Sequence, residues 1–178
     1  MEEARAKGIS LWLMPEGDAH RRLSEIIDRL AVRLGTTPFP PHVTLLSGVL
    51  APPPAVVEGA RSLGADLAPF SVDLSSVDGI DQHFRCLFFR VQGGLSLRDA
   101  HSRAARQFGR EPDPSFDPHL SLVYGTLDPA EKAGLVAELA GGATTSFEAR
   151  RLHVWRTDGP VGEWREIAAF DLGPLQSF

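Results

Sequence analysis

Two short stretches of this 178-residue chain share one pattern of reactive side chains: Pro41-His42-Val43-Thr44-Leu45-Leu46-Ser47-Gly48 and Pro118-His119-Leu120-Ser121-Leu122-Val123-Tyr124-Gly125. Each sets a histidine and a hydroxyl two residues apart. In a β-strand alternate side chains share a face, so His42 with Thr44, and His119 with Ser121, would line one surface while Val43, Leu45, Leu120 and Leu122 pack on the other. Histidine titrates near neutral pH, so two facing copies can serve as one base and one acid. Displacement at phosphorus needs that pairing: a nucleophile deprotonated on one side and a leaving oxygen protonated on the other. The two hydroxyls then supply donors for non-bridging phosphate oxygens. A single His-x-Thr is weak evidence. Its recurrence in matching surroundings is much harder to obtain from packing alone.

The elements that must position these residues also recur. Gly8 to Met14 alternates as a strand stopped by Pro15, with Ser10 and Trp12 on one face. Leu23, Ile26, Ile27, Leu30 and Leu34 mark an amphipathic helix from Asp18 to Leu34, closed by Gly35. The run from Thr37 to Pro41 enforces extended backbone into the first motif. A weaker helix over 52–63, an alternating strand over 70–77 and a further strand over 83–91 follow. The second half repeats this order: a helix over 95–108, a Pro- and Asp-rich loop over 109–118, the second motif, a helix from Asp128 and Pro129 to Leu139, and strands over about 145–156 and 163–171. The two histidines lie 77 positions apart, as do the helix prolines 52 and 129. The pattern predicts one domain, 1–178, of two duplicated units over about 17–91 and 95–172, facing each other across a cleft.

Composition narrows the function. The formal charge of −5 leaves no general basic field for duplex nucleic acid, and an anionic ligand must be gripped locally. Cys86 is the single cysteine, so no internal disulfide is expected and the cytoplasm is the expected compartment. No stretch reaches membrane-span length, and the charged segment from Met1 to Lys7 does not read as a secretion signal. Neither a membrane nor a metal is expected: His20, His83, His101 and His153 lack the acidic or thiol partners of a metal site, and each reads as surface or core. The loop over 109–118 is a candidate lid. His83 and Arg85 would share a strand face that could line the cleft.

The two motifs, together with Ser10-Leu11-Trp12, resemble the two-histidine phosphoesterase superfamily along nearly the whole chain, and within it the cyclic phosphodiesterases. The resemblance implies an α+β fold of two pseudo-symmetric lobes of antiparallel sheet with outer helices around a central cleft. It implies metal-independent, cofactor-free opening of a ribose cyclic phosphate: a nucleoside 2′,3′-cyclic phosphate to the 2′-phosphate, or ADP-ribose 1″,2″-cyclic phosphate to the 1″-phosphate. His42 and His119 correspond to the acid and base, Thr44 and Ser121 to phosphate-oxygen donors, and Trp12 and Tyr124 to aromatic residues near the site. Strand parity sets Tyr124 off the histidine face unless the strand twists or ends at Gly125. The expected partner is a small nucleotide or ADP-ribose derivative, with RNA ends as a further substrate, acted on by a monomer. The competing reading is a non-catalytic module of the same fold that binds nucleotides or RNA ends.

Overall fold

A computed structural model describes residues 6–92, 94–142 and 145–173. Residues 1–5, part of the charged start, and Gly93, expected to help close the strand over 83–91, lie outside the described residues. Among the described residues eight strands form one antiparallel sheet: β1 (Ile9–Leu13), β2 (Val43–Val49), β3 (Phe70–Asp78), β4 (Leu87–Gln92), β5 (His119–Val123), β6 (Ser146–Ala149), β7 (Arg151–Arg156) and β8 (Arg165–Asp171). Four α-helices among the described residues cover it: α1 (Gly17–Leu34), α2 (Pro53–Asp66), α3 (Leu95–Gln107) and α4 (Pro129–Ala140). The strand order β6-β3-β4-β5-β2-β1-β7-β8 reads as two four-stranded halves meeting where β5 lies beside β2. The two motif strands are therefore neighbours at the centre. This is the α+β arrangement of paired antiparallel lobes that the motifs imply.

The helices follow from local chemistry. Leu23, Ile27, Leu30 and Ala31 recur at helical spacing and are buried, and Gly35 ends α1 in the left-handed region at φ 66°. Asp128 caps α4, its carboxylate accepting from the Ala130 and Glu131 backbone N–H groups at 2.8 and 3.3 Å, with Pro129 at the first helical position. Helix α1 packs on β5 and α3 on β2, so each motif strand is backed by a helix from the other half of the chain.

The sequence reading and the structure part company at β4 and between β6 and β7, both with a local cause, and again ahead of β8. The strand expected from residue 83 begins only at Leu87. Residues His83–Arg85 instead form a 3₁₀ turn, closed by the Arg85 N–H on the Gln82 carbonyl and the Ile80 N–H on the Arg85 carbonyl. The strand expected over 145–156 breaks at Arg150. Its first part, β6, pairs with β3, and its second, β7, pairs with β1 and β8, so the break carries the chain from one half of the sheet to the other.

Candidate active site

Val43 lies opposite Leu120 where β2 meets β5, and both are fully buried. In an antiparallel ladder that register sets Thr44 across from His119 and His42 across from Ser121, with the two histidines one diagonal step apart on the same face. Such a step spans roughly 7–8 Å in a regular ladder, which leaves room for a phosphate between the rings. The same face continues through β1, where Trp12 is paired with Thr44. The outcome is a cavity of about 540 Å³ lined by Trp12, His42, Thr44, His119, Ser121 and Tyr124 together with Ser10, Lys7, His83, Phe84, Arg85 and Trp164, among others. All six residues singled out from the sequence thus border one cavity.

Both imidazoles are held in the same way. His42 Nδ1 lies 2.7 Å from the Pro40 carbonyl oxygen, and His119 Nδ1 lies 3.0 Å from that of Asp117. A carbonyl can only accept, so each ring carries its proton on Nδ1 and keeps the Nε2 lone pair for chemistry. The proline between the carbonyl and the histidine is what both motifs have in common here: it fixes the backbone that presents the carbonyl to the ring.

Beyond that shared anchor the two sides differ. His42 is 4% exposed and stacks on Trp12 at 3.5 Å between centroids and 9° between planes. Trp12 in turn stacks on Trp155 at 4.6 Å. The Tyr124 hydroxyl donates to His42 Nε2 at 3.4 Å. Burial lowers the His42 pKa from 6.5 to about 3, partly opposed by the Pro40 carbonyl and reinforced by the charge of His119. That influence of His119 on His42 is what two rings facing one space lead one to expect. The His119 pKa is also lowered, by burial first, with the Arg85 guanidinium adding to it while the Asp117 carbonyl and carboxylate act the other way. Burial holds the Tyr124 phenol well above its usual range, so it remains a donor.

Tyr124 reaches His42 because β5 ends at Val123 and the backbone turns at Gly125, whose φ of 145° needs glycine. The hydroxyls are also inequivalent. Ser121 Oγ donates to the Phe84 carbonyl at 2.8 Å, whereas Thr44 Oγ1 has no partner among the described residues.

Four wall residues arrive by a route the sequence does not predict. His83 and Arg85 line the cavity, as expected of them, but from a turn, and that turn brings in Phe84 between them, which strand parity sets on the opposite face. Trp164 falls inside the predicted last strand, but a second 3₁₀ turn (Val161–Glu163) delays β8 to Arg165 and leaves the indole over the cleft, 5.9 Å from Trp12 and 6.1 Å from Phe84. The Asp158-Gly159-Pro160 turn with Gly162 is the signal for it. The loop over 109–118 contributes nothing to the cavity wall among the described residues. It is pinned from behind: His101 Nε2 accepts from the Asp113 N–H at 3.3 Å, its Nδ1 donates to the Leu45 carbonyl at 2.8 Å, and its ring stacks on Phe116. His101 and His153 are buried and His20 lies away from the cleft.

The profile of the 2′-5′ RNA ligase superfamily matches residues 19–160. The chain belongs to that family. Both motifs lie within the matched span, and the resemblance drawn from them to two-histidine phosphoesterases holds. A cyclic phosphodiesterase of Arabidopsis thaliana is 24% identical over 184 residues, covering 98% of this chain and 100% of the relative. A 2′,3′-cyclic-nucleotide 3′-phosphodiesterase of Phaeosphaeria nodorum is 27% identical, covering 93% of this chain and 99% of its own length. Among solved structures, a Thermus thermophilus protein superposes with a TM-score of 0.65 at 16% identity, over 94% of this chain and 99% of that one, and shares the fold.

Proposed function

We propose that the chain hydrolyses a ribose cyclic phosphate without a metal ion, opening either a nucleoside 2′,3′-cyclic phosphate to the 2′-phosphate or ADP-ribose 1″,2″-cyclic phosphate to the 1″-phosphate. The observation that supports this most is the pair of Nδ1-anchored imidazoles bordering one cavity. Membership of the family and the activities named for the two relatives point the same way.

In this reading one imidazole removes a proton from water as its oxygen bonds to phosphorus. The other gives a proton to the ribose oxygen as its bond to phosphorus breaks, leaving a monoester and a free hydroxyl. His42 is the base: with its proton on Nδ1, its Nε2 lone pair can take one once the Tyr124 hydroxyl turns from it to the substrate, and its ring is the more strongly held neutral. His119 is the acid, since the phosphate anion between the rings favours its protonated form. Thr44 Oγ1 donates to a phosphate oxygen, Ser121 does so after turning from the Phe84 carbonyl, and Tyr124 and Trp12 orient His42 and contact the substrate. The test is to incubate the protein, in chelator, with the four nucleoside 2′,3′-cyclic phosphates and the ADP-ribose cyclic phosphate and identify products by phosphorus NMR. A monoester from at least one is expected. Binding of a 2′-phosphorylated nucleotide with no turnover of any cyclic precursor would make the chain a binding module instead.

A further inference from the structure

The cleft is balanced in its histidines and unbalanced in its charge. On the His42 side stand the rings of Trp12 and Tyr124; on the His119 side stands a cation, Arg85. The guanidinium is fixed from two directions. Its Nη2 donates to the Asp117 carboxylate at 2.5 Å, and its plane sits over Phe88, with Cζ 4.9 Å from the ring centroid. Asp117 also supplies the carbonyl that holds His119 Nδ1, so a single residue positions both the imidazole and the guanidinium.

What the guanidinium lacks is acceptors. Among the described residues nothing accepts from Nη1, and Nε is buried with no partner at all. Buried N–H donors without an acceptor are rare, and since Arg85 lines the cavity an anion entering there can supply an acceptor the guanidinium lacks. The neighbouring hydroxyl sharpens the point. Ser121 spends its proton on the carbonyl of Phe84, in the same turn as Arg85, so beside the single hydroxyl of Thr44 the unspent charged donors near His119 belong to the guanidinium.

We propose that Arg85 is a catalytic residue of this cleft, donating to a non-bridging oxygen of the cyclic phosphate and offsetting the negative charge that grows there as water adds. This rests on the cyclic-phosphate reading above. A planar, permanently charged fork suits that task, and no bond to it forms or breaks. The guanidinium also opposes protonation of His119 until the phosphate anion lies between them, so His119 loads its proton with substrate bound. The other titratable and charged groups around His119 are the neutral His42 across the cavity, Lys7 on the cavity wall, the Asp117 carboxylate, and Arg90, its partner on β4, whose own charge is paired with Asp78.

The test compares wild type with Arg85→Ala, Arg85→Lys and Arg85→Gln on adenosine 2′,3′-cyclic phosphate across pH, alongside inorganic phosphate titrated calorimetrically into each protein. Thermal melting confirms that the variants are folded. We expect kcat/KM to fall on the order of 100-fold for Arg85→Ala, an intermediate value for lysine, partial rescue of the alanine variant by added guanidinium, and an alkaline limb moved to higher pH in the glutamine variant. Phosphate affinity should fall together with kcat/KM. Unchanged phosphate affinity in folded Arg85→Ala and Arg85→Gln, with kcat/KM within a few-fold of wild type, overturns the assignment. If wild type turns over no cyclic phosphate, the functional reading fails by itself and the phosphate titration alone decides Arg85: weakened binding supports an anion site there, unchanged binding removes it.

Discussion

Replacing His42 by glutamine should make the fold less sensitive to acid, even though it removes a central group of the site. His42 is buried, stacked on Trp12, and holds its pKa at about 3 instead of 6.5. The unfolded chain therefore takes up this proton first as pH falls. The stabilisation is complete above about 6.5 and is lost as pH drops toward 3, at about 1.4 kcal/mol per pH unit. Between pH 7 and about pH 4.5 this one residue should cost the wild type ~3 kcal/mol, a large share of a small domain's stability. Glutamine cannot titrate. Urea unfolding of both proteins at the two pH values, read as the difference of differences, isolates the residue, because His119 and the depressed carboxyls of Asp78 and Asp113 contribute to both proteins alike. Parallel losses in the two would refute the picture of a buried, neutral His42.

Four further outcomes follow. Because both imidazoles have lowered pKa values in the free protein, the alkaline limb of kcat/KM should fall below the ordinary histidine value of 6.5, and the corresponding limb of kcat should lie higher once the anion is bound; stopped assays across pH check both. A phosphodiester with a 4-nitrophenol leaving group should restore turnover to His119→Ala and not to His42→Ala, since a good leaving group needs no acid; equal rescue of both would reverse or remove the assigned polarity. Tyr124→Phe should lower kcat/KM roughly tenfold, while urea unfolding shows a stability change of about 1 kcal/mol, the worth of one hydrogen bond to His42. Native Cys86 should resist thiol reagents until the chain unfolds, because it is buried and its thiol pKa is raised, chiefly by desolvation; rapid labelling of the folded protein would contradict this.

How far the sequence could be read depended on whether a feature was local. Strand alternation around His42 and His119 placed the apolar partners Val43, Leu45, Leu120 and Leu122 in the core, and all four are buried. The helices carried their own periodicity and caps, so their bounds came out within a few residues. Tyr124 was ambiguous because parity along a strand says nothing about where the strand stops, and only the turn at Gly125 brings its hydroxyl to His42. Phe84 and Trp164 were obscured for a similar reason. Each sits in a run that reads as strand, while local hydrogen bonds, such as those of Gln82 and Ile80 around the first, bend the backbone into a 3₁₀ turn ahead of the strand. Nor could sequence show that the Ser121 proton goes to the Phe84 carbonyl, a partner 37 positions away.

The most direct test of the account is turnover of adenosine 2′,3′-cyclic phosphate, in chelator, by wild type, His42→Ala and His119→Ala, each shown by its thermal melt to be folded. The account predicts monoester product from wild type and losses of about 10²-fold or more in each variant, the usual worth of a positioned acid or base. Near-wild-type turnover in either variant would contradict it.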